Sequence, residues 1–161
     1  MLVTDIKPKA LRDTFSCCPS GVAAICALVT GTPIGLTVST FVPVSLDPPL
    51  AGFCIRNDST TWPRLADAPR LGVSILSDGQ FAVARRLASR TGGDCFAGVE
   101  TRTSPEGALF LFDSCAWLDC EVESVLPAGD HGFVLLHVQG LLARPDRGAL
   151  VFHLGAFRCL V

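Results

Sequence analysis

Apolar and polar positions alternate along this chain with two different periods, and most of the length carries the shorter one. Residues 22–29 (Val-Ala-Ala-Ile-Cys-Ala-Leu-Val) are a continuous apolar run between turn signals, which predicts a strand buried on both faces. A Thr30-Gly31-Thr32-Pro33 turn leads into a second strand over 34–39, so the two form a hairpin. Pro43, Pro48 and Pro49 bracket Val44–Asp47, which reads as loop or sheet edge because proline donates nothing to a ladder. Strands are predicted over 50–56 and 71–76. From 116 to 126 the pattern alternates: Ala116, Leu118, Cys120, Val122 and Leu126 face one way and Asp119, Glu121 and Glu123 the other. Residues 127–130 turn the chain into a long strand over 131–143, and a last strand covers 149–153.

Helical spacing is rarer. Leu11 and Phe15 stand four apart within 8–18; Pro63 sits in the first turn of a helix over Trp62–Ala68 that Thr60 or Thr61 would cap; and 79–90 places Phe81, Ala84, Leu87 and Ala88 on one face with Arg86 and Arg90 on another. Residues 91–108 read as a Gly-, Ser- and Thr-rich loop. About seven strands with short helices, without βαβ rhythm or internal repeat, predict a mainly β fold: one antiparallel Greek-key barrel over residues 1–161, with helices filling its ends and residues 1–10 as a flexible or dimer-contacting tail.

Composition changes this picture in one respect. Of the 161 residues, 49% are hydrophobic and 17% charged, more apolar matter than a barrel this small needs inside, so a second subunit is expected to cover part of the surface. The net charge of −2, with no Lys/Arg run, excludes a nucleic-acid partner; no apolar run is long enough to span a membrane, and no apolar leader opens the chain, so a cytoplasmic protein is expected. In that compartment the eight cysteines stay reduced, mostly as small buried hydrophobes. Cys115 and Cys120 lie five apart and Cys17 and Cys18 are adjacent, spacings that suit no metal, and no site metal is expected.

Four segments can carry chemistry. Thr37, Val38, Ser39 and Thr40 crowd hydroxyls onto a strand end, where they either meet water or present donors to a polar ring edge. Asn57, Ser59, Thr60 and Thr61 form a hydroxyl-rich loop before a helix, either ordinary capping or a phosphate seat that the Asp58 carboxylate opposes. Gly129-Asp130-His131 delivers a titratable imidazole to a strand start, whereas His137 and His153 have no motif around them. Arg85 and Arg86 precede Cys95-Phe96-Ala97-Gly98, and an arginine there suits either solvent or a phosphate.

In this order, together with Pro19–Val22, Val44–Leu50, Trp62-Pro63 and Ala116–Cys120, these pieces resemble the flavin reductase-like, FMN-binding split-barrel family, which includes the reductase components of two-component flavin-dependent monooxygenases. The resemblance runs from about Phe15 to the C-terminus. It implies a homodimer that passes a hydride from NADH or NADPH to FMN, or FAD, and supplies a partner monooxygenase. It implies that Thr37–Thr40 contact the flavin ring and ribityl chain, that Asn57, Ser59, Thr60 and Thr61 contact ribityl and phosphate, that Arg86 and Phe96 lie near the flavin, and that His131, the catalytic-site residue, lies beside the nicotinamide. Asp58 and Cys95 depart from the family pattern. The alternative is a flavin-binding barrel without reductase activity, serving as an oxidase, a cyclase-like catalyst or a carrier.

Overall fold

In the computed structural model, which describes residues 1–89 and 93–160, the chain runs through α1 (Pro8–Ser16), β1 (Ser20–Gly21), β2 (Ala23–Val29), β3 (Thr32–Val38), β4 (Val42–Leu46), β5 (Pro49–Arg56), α2 (Trp62–Ala66) and β6 (Leu71–Ile75). A 3-10 turn at Asp78–Gln80 leads into α3 (Phe81–Ala88), followed by β7 (Thr101–Thr103), β8 (Leu109–Leu111), β9 (Ala116–Ala128), β10 (His131–Ala143), β11 (Leu150–His153) and β12 (Ala156–Cys159). Seven strands make one antiparallel sheet in the order β3-β2-β6-β9-β10-β5-β4; β1, β11 and β12 form a second, and β7 pairs with β8.

The apolar run of β2 is explained by cover on both faces. Ala23, Ile25 and Ala27 point into the barrel with Phe53, Leu71, Val73, Val134 and Leu136. Ala24 and Cys26 point outward beneath Val83, Ala84 and Leu87 of α3 and beneath β8. Burial pushes the Cys26 thiol far above its ordinary pKa and that of Cys120 up to about 12, so both act as small hydrophobes. The other cysteines are more accessible than the pattern suggests: Cys54, Cys95 and Cys115 are half-buried and Cys17, Cys18 and Cys159 exposed, all as free thiols.

Several boundaries differ from the pattern. The segment read as loop or sheet edge is an edge strand, β4, which begins earlier than expected, at Val42, and whose ladder to β5 is interrupted between Pro43 and Ser45. The segment read as loop contains β7, and β8 follows immediately beyond it. In β9, one bulge at Glu123 shifts the pairing with β10, so Val125, not Leu126, falls opposite the buried Val134, and Leu126 is exposed. The outer face of β9 is not wholly wet: Arg70 bonds Asp119 and Glu121, each at 3.1 Å. Helix α3 buries Val83, Ala84 and Leu87, while Phe81 and Ala88 are exposed; it ends at Ala88, short of the expected 90, because Ser89 is already extended, and Arg90 lies outside the described residues. Helix α1 includes Pro8–Ala10 of the expected tail and has no buried residue, but its last carbonyl, that of Ser16, accepts from Leu154 N–H at 3.0 Å.

Candidate functional site

The seven-stranded ladder does not close on itself. β3 is one edge, and it approaches β5 across a seam that carries no strand pairing. Beyond β3, the Thr40 hydroxyl stitches the seam, accepting the Cys54 N–H at 2.9 Å and donating to the Cys54 carbonyl at 3.2 Å. Along the seam lies a cavity of about 380 Å³, walled by residues 36–40 on one side, 54–56 with His131 on the other, and closed at its ends by 59–61 and 87–89. A second cavity of about 590 Å³ shares Thr60, Thr61, Leu87 and Ser89 with it and extends the groove past Gly35, Arg64, Cys95 and Phe96. Gly35 permits this: a Cβ there would stand 2.9 Å from the Phe96 ring and 2.6 Å from Cys26 Sγ.

The predicted residues divide into those that face the groove and those that build it. Val38, Ser39, Thr60, Thr61 and His131 line it, and Phe96 lines its extension. Ser59 lines it too, and its hydroxyl accepts the Trp62 N–H at 3.1 Å, so Ser59 caps α2 in place of Thr60 or Thr61. Thr37 donates its hydroxyl to the Ala84 carbonyl at 2.9 Å, anchoring α3 on β3, so this hydroxyl and that of Thr40 hold scaffold. Asn57 turns away from the cavity: its side chain donates to the Gly129 carbonyl at 3.2 Å and its N–H to the Asp130 carbonyl at 3.0 Å. It thus fastens the hydroxyl loop to the turn that carries His131. Arg86 does not reach the groove either; it donates to the Ala97 carbonyl at 2.7 Å and borders a separate cavity with Asp78 and Arg147. The Cys95 thiol stands 3.4 Å from the Arg86 carbonyl, which it can donate to.

The turn at 129–130 is tight because Gly129 takes φ +67°. It sets Asp130 against the imidazole, Oδ1 to Nδ1 at 2.7 Å, and this bond holds the Asp130 carboxyl below its ordinary pKa. An ionised carboxylate can only accept, so Nδ1 carries the proton of this bond and Nε2 is the ring nitrogen left for a ligand. Arg56, the strand-end residue before the hydroxyl loop to which the sequence assigns no role, stands directly opposite His131 in the β5–β10 ladder and grips Asp58 through Nε and Nη2 at 2.9 and 2.8 Å. The carboxylate that seemed to oppose an anion is therefore compensated. Its signal was in the sequence, a cation ending an apolar strand just before the hydroxyl loop. Leu87 of α3 and Ser89 just beyond its end escaped notice because pattern alone does not place this helix over the seam.

An open antiparallel barrel whose seam joins a hydroxyl-rich strand to a carboxylate-held histidine defines a class, and comparison with known proteins agrees. The flavin reductase like domain matches residues 15–160. A flavin reductase of Pseudomonas putida is 37% identical over 94% of this chain and 89% of its own length. The reductase subunit of a flavin-dependent monooxygenase of Rhodococcus jostii is 32% identical over 94% of this chain and 77% of its own. The solved NADH:FAD oxidoreductase of Streptomyces globisporus, in complex with NAD and FAD fragments, superposes with a TM-score of 0.91 at 31% identity, covering 100% of this chain and 98% of that one. The chain belongs to the flavin reductase-like family and is a flavin-reducing oxidoreductase.

Proposed function

We propose that the chain moves a hydride from NADH or NADPH to FMN or FAD held in the barrel seam, and that it works as a homodimer supplying reduced flavin to a partner monooxygenase. The observation that carries the reading is that one groove brings the hydroxyl-bearing end of β3, the Ser59–Thr61 loop and His131 to a common space. These residues fit a flavin. Leu36, Val38 and Leu87 offer apolar wall to a ring system, while Ser39, Thr60 and Thr61 offer donors to a polyol and a phosphate. When bound, the flavin supplies the hydride acceptor, which is chemistry no side chain here provides.

The chain's own residues bind and orient. Backbone N–H groups near Val38–Thr40 meet the polar edge of the ring, where negative charge grows on reduction. His131 presents Nε2 to the nicotinamide carboxamide, and Asn57 and Asp130 hold it there. It need take no proton, because a hydride leaves the nicotinamide directly. The dimer reading is supported by exposed apolar side chains on α1 (Leu11, Phe15) and β4 (Val42, Val44, Leu46). The partner reading is supported by the reductase subunits among the relatives. The described residues contain no helix long and apolar enough to cross a membrane.

The test is anaerobic mixing of the flavin-loaded protein with NADH and NADPH. Bleaching of oxidised flavin is expected with at least one of them. Flavin that binds and stays yellow with both would leave the alternative of a barrel without reductase activity. His131→Ala is expected to lower kcat/KM for the nicotinamide about 10- to 100-fold, with the flavin Kd unchanged.

Asp130 adds a pH dependence. Its native pKa is depressed, so its bond to His131 is present above the ordinary carboxylate range and is lost as pH falls through the lowered native value. In an NMR titration of the protein, the Asp130 carboxyl is therefore expected to stay ionised down through that range and to protonate only below it. Asp130→Asn should raise KM for NADH at neutral pH, because the imidazole loses the carboxylate that orients it.

A further inference from the structure

We propose that Arg56 recognises the diphosphate of the nicotinamide nucleotide, taking up the ligand's oxygens beside its ion pair with Asp58; this rests on the reading above. Among the described residues that line the seam cavity, Arg56 is the one side chain with a permanent positive charge. Both nucleotides of the reaction are anionic, so the position of this cation decides which of them it serves.

Arg56 and His131 are Cα partners in the β5–β10 ladder. Directly opposed residues of an antiparallel pair project to the same face with their Cβ atoms roughly 5 Å apart. The cation therefore belongs to the wall that carries the imidazole, and the hydroxyl-bearing end of β3 forms the wall across the seam. Each wall then serves one ligand: β3 the flavin, and Arg56 with His131 the nicotinamide nucleotide.

The guanidinium has the geometry for both partners at once. It holds Asp58 through its Nε–Nη2 edge at 2.9 and 2.8 Å. Its Nη1–Nη2 edge is a second fork matched to a phosphate. Asp58 fixes the direction of the fork and offsets part of its charge, and Asp130 also lies within electrostatic reach of Arg56. A half-compensated cation suits a co-substrate that must leave after every turnover.

The experiment measures ADP-ribose, which keeps the diphosphate and lacks the nicotinamide ring, against the flavin-loaded protein by calorimetry and as a competitor of NADH. Arg56→Met is expected to weaken ADP-ribose binding and raise KM for NADH, each about 10- to 100-fold, with flavin Kd unchanged. Arg56→Lys restores part of the loss, since a point charge remains without the fork, and it serves in place of Arg56→Met should that variant fail to fold. The assignment is overturned if Arg56→Met binds ADP-ribose as the parent does. It is equally overturned if the flavin Kd rises while ADP-ribose binding holds, since the cation would then serve the flavin phosphate. If the parent protein binds no flavin, the reading of the groove fails first, and the flavin titration alone reveals it.

Discussion

Gly72→Ala is expected to lower the free energy of unfolding by about 3 kcal/mol and Tm by about 10 °C, a loss far beyond what one added methyl group suggests. The reason is the crossing of two strands. β8 lies directly on the outer face of β6, and a Cβ at position 72 would overlap the Leu109 carbonyl oxygen and stand 2.6 Å from its carbon. These are backbone atoms, pinned by the Leu111 N–H donating to the Ser74 hydroxyl at 3.0 Å and by the β7 ladder. No rotamer relieves the overlap, so β8 must lift and expose Leu109 and Leu111, both buried against α3. Gly148→Ala is the control. Its Cβ would meet the end of the Asp78 side chain at 2.6 Å, which can swing aside, and a cost under about 1 kcal/mol is expected. Denaturant midpoints of the two variants check the contrast; equal midpoints would show that β8 yields freely.

Phe53→Ala is expected to cost about 3–5 kcal/mol and, in addition, to weaken flavin binding. Phe53 is wholly buried on β5 and meets the Trp62 ring edge-to-face, centroids 5.6 Å apart. Trp62 opens α2, whose Leu65 is also fully buried, and its N–H is the one that Ser59 caps. Removing the Phe53 ring takes the floor from under the first turn of α2 and so from the Ser59–Thr61 loop. Phe110→Ala separates the two effects. Phe110 stacks on Trp117 at 5.2 Å in the outer aromatic cluster, apart from the groove. It should lower stability with flavin Kd unchanged. Unfolding curves paired with flavin titrations test this, and a Phe53→Ala protein that binds flavin like its parent would break the link.

Particular residues show how much of this molecule could be read in advance. The long strands are legible because burial imposes period two on a half-wet strand such as β9 and a continuous apolar run on β2, which is covered on both faces. Leu71-Gly72-Val73-Ser74-Ile75 even records, in its alternation of large and small, that the barrel lies on one side and a crossing strand on the other. The helices were legible in extent but not in facing, as Phe81 shows, because a short helix has several plausible apolar stripes and only its neighbours choose among them. The phase of β9 failed at Glu123, since a bulge leaves no composition signal. In the site, the pattern names donor-bearing residues but not where their hydrogen bonds go. Thr37, Asn57 and Arg86 all carry the chemistry that a ligand would want, but each donates to a backbone carbonyl, and no local pattern distinguishes a donor held by the protein from one kept for a ligand.

The unladdered seam between β3 and β5 has an evolutionary reading. A ligand bound between two hydrogen-bonded strands would demand changes in residues that also hold the sheet together, and each new specificity would draw on stability. Here the binding walls meet across a line where one threonine hydroxyl replaces a whole ladder. A position such as Ser39, beyond the last pair of the β2–β3 ladder, can therefore be exchanged without unzipping the barrel. Selection can retune which nucleotides enter while leaving the fold's margin almost untouched, and one scaffold can serve many different electron-transfer partnerships.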